Sequence, residues 1–496
     1  MCFVDMRTEE ASGKEAVKLS DLAIYTKLSL PLTYTAKNNF GYPSCDGARS
    51  FVRKRLGYAF EGDTDDSLYV RIDGILKTNI PHADEIVLVI SSFVGHACSV
   101  LRKRDLTRFT VPVRRRIQSQ DFGTVTIMSL DHGTSRIGFP IVDTHDRESG
   151  DPLKFNLDDL LKLTKSRMAP WEVEFEDVHW WTVFPVTLTF VNELIIIHLV
   201  GQRLVEQFSY KDRIFLCGIN LGLMDAHNLA WKLLWYERKG AKNMLLGTYN
   251  EERRSIAEQV IDLDKKLVSY AALKAPRGFS PGLNSTFAKE LNYTMMRFAG
   301  FSCGTGIEYN DSFLNAIDYD MPPPASGRGL KPGQRAPDHW VATYPSGQAT
   351  QIHTEMPHTG CFYLLIFVGD LVYNMGRIQT LVEHLSSDGS FMRRFGGGIE
   401  NTESFSVLFV TTTTGFDNSR TKELADSLST APFKMIADKH EGKVGGMHAL
   451  YGVDDELGAV VVIRPDGWTG AWAILDRYQK VDDYFAEFLE SQCDIR

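Results

Sequence analysis

The sequence predicts a mixed α/β (α+β) protein of several domains. Three observations carry this expectation. β-rich runs dominate residues 61–210, a strand ending in glycine leads into two long helices over 211–321, and a strand–helix pattern restarts after a proline-rich stretch at 322–332. A chain of 496 residues is also too long for one ordinary domain.

The elements follow in order. Residues 1–40 are polar and weakly patterned, whereas from Asp46 the chain reads as a tight turn and a short helix closed by Gly57. Glu85–Ile90 and Thr124–Met128 are the clearest strands. Asn156–Leu163, with Leu157, Leu160, Leu161 and Leu163, reads as a short helix. Arg213–Gly218 reads as a buried, parallel-type strand. In the helix after it, Leu223, Ala226, Ala230, Leu233 and Leu234 mark the apolar face, and Arg238-Lys239-Gly240 is the stop. Thr248 and Glu251 have capping-box spacing and open a second helix with the stripe Ile256, Val260, Leu263 and Leu267. The prolines and glycines of Pro322–Pro332 cannot continue a helix and make a linker. In 333–496, Cys361–Phe367, Ser406–Val410 and Ala459–Ile463 read as strands and Pro465-Asp466-Gly467 as a hairpin turn. Val481, Tyr484, Phe485, Phe488 and Leu489 line a closing amphipathic helix.

Composition narrows the function. With 43% apolar and 24% charged residues the chain is that of a globular protein. A net charge of −9 argues against a nucleic-acid partner, despite the short run Arg114-Arg115-Arg116. No run has the length of a membrane span, and the nearest, Val183–Val200, contains Pro185, Asn192, Glu193 and His198. Met1–Glu10 has no apolar core of signal-peptide length. The seven cysteines (Cys2, Cys45, Cys98, Cys217, Cys303, Cys361, Cys493) are scattered and odd in number, with no C-x-x-C pair. That suits reduced thiols in a cytoplasmic protein and neither a disulfide framework nor a zinc site. His227 lies on a helix with no second ligand at metal spacing, so no metal is expected.

Seven segments carry a family resemblance. They are CDGARSFVRKRLGYAFEGD from Cys45, WWTVFPV from Trp180, GQRLVEQFSYKDRIFLCG from Gly201, DAHNLAWKLL from Asp225, TYNEERRSIAEQVIDLDKKL from Thr248, GTGIEYN from Gly304 and YGVDDELGAVVVIRPDGW from Tyr451. In this order, over roughly residues 45–490, the chain resembles the phenol hydroxylase family of FAD-dependent aromatic monooxygenases. The resemblance implies a remnant of an FAD-binding domain with its Asp-Gly turn (1–60), a substrate-domain β-sheet (61–210), the helical end of the FAD-binding domain (211–321), a linker (322–332) and a thioredoxin-like domain (333–496). It implies FAD as cofactor, NAD(P)H as co-substrate, a small phenolic substrate and a homodimer.

It also implies site residues. Asp46 and Gly47 form a turn beside the flavin, and Arg49 or Arg53 can meet pyrophosphate charge; the alternative is a strand-to-helix turn with surface arginines. Gly218 ends the strand that leads into the family's flavin-contacting segment, and Asn220 stands at the asparagine that follows that segment. Arg102 matches an arginine near the flavin, or is a surface charge at a strand end. Thr110 stands where a tyrosine that bonds substrate is expected, and its hydroxyl has a shorter reach. Trp180 and Trp181 are expected to pack in a core, as is Met224. Cys361, without a C-x-x-C partner, reads as structural or as a dimer contact.

The chain also departs from the family. No G-x-G-x-x-G loop occurs before Asp46, and Gly304-Thr305-Gly306 lacks a strand–helix context. The Gly-Asp-Ala-x-His segment expected after Gly218 is absent. Residues 187–200 interrupt an otherwise continuous family segment, as a natural strand or helix or as a translated intron, in which case the gap after Gly218 is the reciprocal splicing error. Two readings follow. One is an FAD-dependent monooxygenase that hydroxylates a phenolic substrate with NAD(P)H and O2 in secondary metabolism. The other is a catalytically inactive remnant or mis-spliced form with weak or no FAD binding, acting at most as a binding or structural protein.

Overall fold

A computed structural model describes residues 42–44, 60–79, 114–119, 123–141, 155–169, 171–191, 196–199, 202–206, 218–272, 293–294, 296–315, 329–413 and 419–491. The chain divides into two units, residues 1–223 with 257–299, and residues 224–256 with 300–496.

The first unit holds a three-stranded and a five-stranded sheet. In the smaller, β1 (Tyr42–Ser44) pairs parallel with β8 (Gln202–Glu206), which pairs antiparallel with β7 (Ile196–Leu199). The larger is antiparallel throughout, in the order β3 (Arg114–Ser119), β4 (Gly123–Ser129), β5 (Ser135–Ile141), β2 (Phe60–Thr78), β6 (Val173–Val191). Alternation along β2 sends Leu68, Val70 and Ile72 to one face, where they meet Val125, Ile127, Ile137, Phe139 and Ile141. Helix α1 (Leu157–Met168) covers that face with Leu160 and Met168. Its start is set by Asn156, whose Oδ1 accepts from Asp159 N at 2.9 Å. The predicted strand at 124–128 and helix at 156–163 are thus present. The strand expected at 85–90 lies outside the described residues.

Residues 187–200 adopt strand structure where they are described. Thr187–Val191 extends β6 against Phe60–Thr64, and Ile196–Leu199 is β7. One further bend is built into this pair. A Cβ on Gly74 would meet Asp177 O at 2.1 Å, beside a register shift at Asp73/Gly74, so only glycine lets β6 close over β2 there.

In the second unit a seven-stranded mixed sheet runs β10 (Ala349–Gln351), β9 (Trp340–Thr343), β13 (Phe433–Ala437), β12 (Phe405–Thr411), β11 (Phe362–Gly369), β16 (Ala459–Ile463), β17 (Thr469–Ile474). A short ribbon, β14 (Lys439–His440) and β15 (Lys443–Val444), follows β13. β11, β12 and β13 are parallel, and β16 and β17 form an antiparallel hairpin beside β11. All eight residues of β11 are buried, as a central strand covered on both faces requires. The helix after β11 opens on Asp370, which caps Val372 N and Tyr373 N, and not on a cysteine pair. Cys361 is buried at the edge of this core, which favours the structural role. The predicted closing helix, Gln479–Phe488, buries Val481, Tyr484, Phe485 and Phe488.

Candidate functional site

The site-bearing helices are α2 (Gly218–Arg238) and α3 (Met244–Ala272). Gly240, at φ 73°, ends the first as expected. Two local expectations are corrected. The face marked by Leu223, Ala226 and Ala230 is exposed, Leu223 by 48%, and the buried stripe is Asp225, Asn228, Leu229, Trp231, Lys232 and Trp235. Nor do Thr248 and Glu251 cap α3, because it begins at Met244 and Thr248 Oγ1 donates back to Leu245 O at 2.7 Å inside the helix.

A polar stripe is buried on α2 because every charge on it is answered. Arg464, on the β16–β17 turn, makes five hydrogen bonds with its guanidinium. Nε and Nη2 reach the two carboxylate oxygens of Asp466 at 3.1 and 2.6 Å, Nη1 and Nη2 reach the two oxygens of Glu252, and Nη1 also reaches Asn315 Oδ1 at 2.8 Å. Lys232 Nζ donates to Glu252 Oε2 at 2.7 Å. Asn228 Nδ2 donates to Glu252 at 2.8 Å and to Asp466 at 3.2 Å, and Trp231 Nε1 donates to Asp466 at 3.0 Å. Arg253 pairs with Asp225 at 2.6 Å and donates from Nη1 to Tyr309 Oη at 3.1 Å. Lys232, Arg253 and Arg464 thus balance Asp225, Glu252 and Asp466.

Burial and pairing oppose each other throughout this cluster. Burial alone would raise the Glu252 carboxyl, but Arg464 and Lys232 outweigh it and hold it far below the usual carboxylate range. Burial pulls Lys232 down to about 8, with Glu252 opposing. Burial pushes the Tyr309 hydroxyl well up. A group of this kind, closed to water and mutually neutralised, is suited to fixing geometry and not to exchanging protons with a substrate.

Gly218 and Asn220 lie in the first turn of α2, which carries no acidic residue. Asp46, Gly47, Arg49, Arg102 and Thr110 lie outside the described residues, as does Leu267's side chain. His227 is exposed on α2, and its ring packs edge-on against His358 at 4.9 Å. Met224 is half-buried, with its thioether over Gly304. Trp180 and Trp181, expected to pack, are 47% and 38% exposed. Trp180 faces away from the apolar core, opposite Asp73 in the register and 5.9 Å from Arg136, which itself forks to Asp73 at 2.6 Å. Sequence reading missed Arg464, Glu252, Lys232, Asn315 and Asp466 as a group. The available signal was the spacing of Asp225, Asn228 and Lys232, a polar stripe at helical period beside two tryptophans.

Residues 307–493 match the family model for the phenol hydroxylase C-terminal dimerisation domain, and residues 217–264 match that for an FAD binding domain. The chain is 24% identical over 465 residues to the phenol 2-monooxygenase fsqG of Aspergillus fumigatus, covering 89% of this chain and 68% of that protein. It is 28% identical over 481 residues to an FAD-dependent monooxygenase of Aspergillus terreus, covering 90% of this chain and 62% of that one. The chain is thus similar, in both matched segments and along most of its length, to FAD-dependent monooxygenases.

The crystal structure of the flavin-dependent monooxygenase PieE in complex with FAD and substrate shares the fold, with a TM-score of 0.55 and 16% identity over 90% of this chain and 69% of that one. The FAD-binding match falls on α2 and part of α3, which allows a test of fit. Asp225, Asn228, Lys232, Glu252 and Arg253 have no surface left for a ligand. The first turn of α2 does fit a polar or anionic group. Its leading amides have no acceptor within the helix, and no carboxylate there opposes negative charge.

Proposed function

We propose that this chain is an FAD-dependent monooxygenase that hydroxylates a phenolic substrate with NAD(P)H and O2 in secondary-metabolite biosynthesis. The observation that carries this is α2, a helix matched to the FAD-binding domain whose first turn is free of acid and whose remaining polar face is locked inside the fold. Bound FAD would supply the transfer of electrons from NAD(P)H and the activation of O2. The chain would supply position and charge. Gly218 and Asn220 would present amides and a carboxamide to the flavin end of the cofactor. The Asp46-Gly47 turn would lie against it, and Arg49 would meet its pyrophosphate. Arg102 would hold a phenolate by charge, and the Thr110 hydroxyl would hydrogen-bond the substrate. The match of 307–493 to a dimerisation domain supports a homodimer. Among the described residues no helix is long and apolar enough to cross a membrane, and the scattered cysteines suit a cytoplasmic location.

A second reading, a catalytically inactive remnant or mis-spliced form, is favoured by one observation. Gly218 runs directly into Ile219-Asn220, with no Gly-Asp-Ala-x-His segment after the glycine. Flavin content separates the two. A yellow purified protein that oxidises NAD(P)H when a phenol is added supports the monooxygenase. A colourless protein that does not quench added FAD fluorescence sinks it. Sequencing the transcript across Val186/Gly201 and Gly218/Ile219 tests the splicing account directly.

A further inference from the structure

The second unit holds a crevice of about 370 Å³ between the β9–β10 hairpin, Thr413 and the residues that end and follow β13, Ala437, Lys439, His440 and Glu441. Side-chain size explains why it is there. Ala349, Ala342 and Ala437 stand opposite one another across β10, β9 and β13, and directly paired residues share a face of the sheet. By alternation the same face of β13 carries Phe433 and Met435, which pack into the core with Ala425 and Leu428 of helix Ser419–Leu428. Three methyl groups do not reach as far as those side chains, so the packed layer thins and leaves space. The crevice also lies at the carboxyl ends of the parallel strands β12 and β13, where open α/β sheets place their ligands.

Its walls select a chemistry. Lys439 is exposed, and among the described residues no ion pair holds its ammonium. The His440 ring lies against Trp340, with centroids 5.2 Å apart and planes 16° from parallel, so it makes a braced aromatic wall. Tyr344 is fixed by donation from its Oη to Asp426 Oδ1 at 2.7 Å. The hydroxyls at the rim are already engaged. Thr343 Oγ1 shares a hydrogen bond with Ser346 Oγ at 2.7 Å, and Thr413 Oγ1 accepts from Leu371 N at 2.9 Å. Lys439 is therefore the group left to recognise a charged ligand. Glu441, with its side chain 81% exposed, limits that charge. One negative charge can pair with Lys439, whereas a second would be repelled by Glu441. The geometry points to a binding site for a monoanionic single-ring aromatic, an aryl carboxylate, with its ring on the alanines and His440 and its carboxylate on Lys439. The volume is at the low end of the range for ligand sites, about 300–1,000 Å³, which suits one ring and not a polycycle. The site lies wholly within the second unit and does not depend on flavin binding.

Hydrogen exchange of the full chain with and without benzoate reads the site directly. Peptides covering 340–350 and 436–441 should exchange about threefold more slowly at saturating benzoate. The dependence of that protection on benzoate concentration gives the dissociation constant. Lys439→Met should weaken it about fivefold, the scale of one exposed ion pair. Ala349→Leu, which fills the crevice, should weaken it about tenfold or more. Benzamide, neutral and of the same shape, should bind wild type about as weakly as benzoate binds Lys439→Met. Protection confined to other peptides, or absent, would overturn the assignment. So would equal affinity for benzoate and benzamide, unchanged benzoate affinity in Lys439→Met, or protection of these peptides by inorganic phosphate but not by benzoate. If Ala349→Leu fails to fold, Lys439→Met, a change at an exposed residue, decides by the same criteria.

Discussion

Nε of Arg253 donates to Oδ1 of Asp225 at 2.6 Å, and neither side chain has any exposed surface. The pair joins α2 to α3 without touching water. Removing one member therefore strands the other charge in a medium that cannot solvate it. Asp225→Ala should cost about 3–5 kcal/mol in urea unfolding, whereas Asp225→Leu with Arg253→Met should cost far less because no charge is left behind. Equal losses in the single and double variants would show that the pair acts by packing volume and not by charge.

The tryptophans divide in the opposite way from their sequence context. Trp235 is fully buried, edge-on to Phe362 at 4.9 Å and hydrogen-bonded to Gly360 O. Trp235→Ala should lose about 3–5 kcal/mol through the cavity it opens. Trp180 and Trp181, exposed on β6, should each tolerate replacement by serine within about 0.5 kcal/mol. Denaturant midpoints of the three variants check this, and a large loss at Trp180 would mean that its face is covered in the working protein.

What could be read from the sequence was periodic. The strands of 333–496, the Pro465-Asp466-Gly467 turn and the closing helix all announce themselves by alternation, turn chemistry or an apolar stripe, and all are present. Helix α2 was placed correctly and turned the wrong way, because apolar periodicity assumes that the apolar face is the buried one. Asp225, Asn228 and Lys232 overturn that assumption through partners at 252, 253 and 466, up to 238 residues away along the chain. No local pattern encodes such a partner. The register of β2 on β6, which brings Trp180 beside Asp73, is equally non-local, so a tryptophan pair looked like core.

Gly369 closes β11 at φ 57°, where a Cβ would meet Asp455 O at 1.9 Å. Both the conformation and the space exclude a side chain, and the obstacle is backbone that cannot rotate away. Gly369→Ala should therefore destabilise by about 1–3 kcal/mol or more, read as a fall in melting temperature. Gly347, also at positive φ but with open space around its would-be Cβ, should lose less on the same change.

Two buried aspartates should titrate with opposite effects on stability. At Asp438, burial pushes the carboxyl up, but it is outweighed by bonds from His448 Nδ1 at 2.8 Å and from the amides of Met447 and His448 at 2.9 Å, so its value lies below the ordinary 3.8. A depressed carboxyl stabilises the fold above the unfolded value and loses that contribution as pH falls through the folded value. At Asp482 burial wins over the Phe391 amide at 2.6 Å and His384 at 2.7 Å, so its value lies above 3.8. Its contribution is present below 3.8 and is lost as pH rises through the raised value. The stability gap between wild type and Asp438→Asn should therefore widen with rising pH below 3.8 and then level off. The gap to Asp482→Asn should be level below 3.8 and shrink above it. Urea midpoints of the three proteins across that pH range test both slopes. A gap that moves in the same direction for both variants would refute the assignment of hydrogen bonding as the winning influence at Asp438 and burial at Asp482.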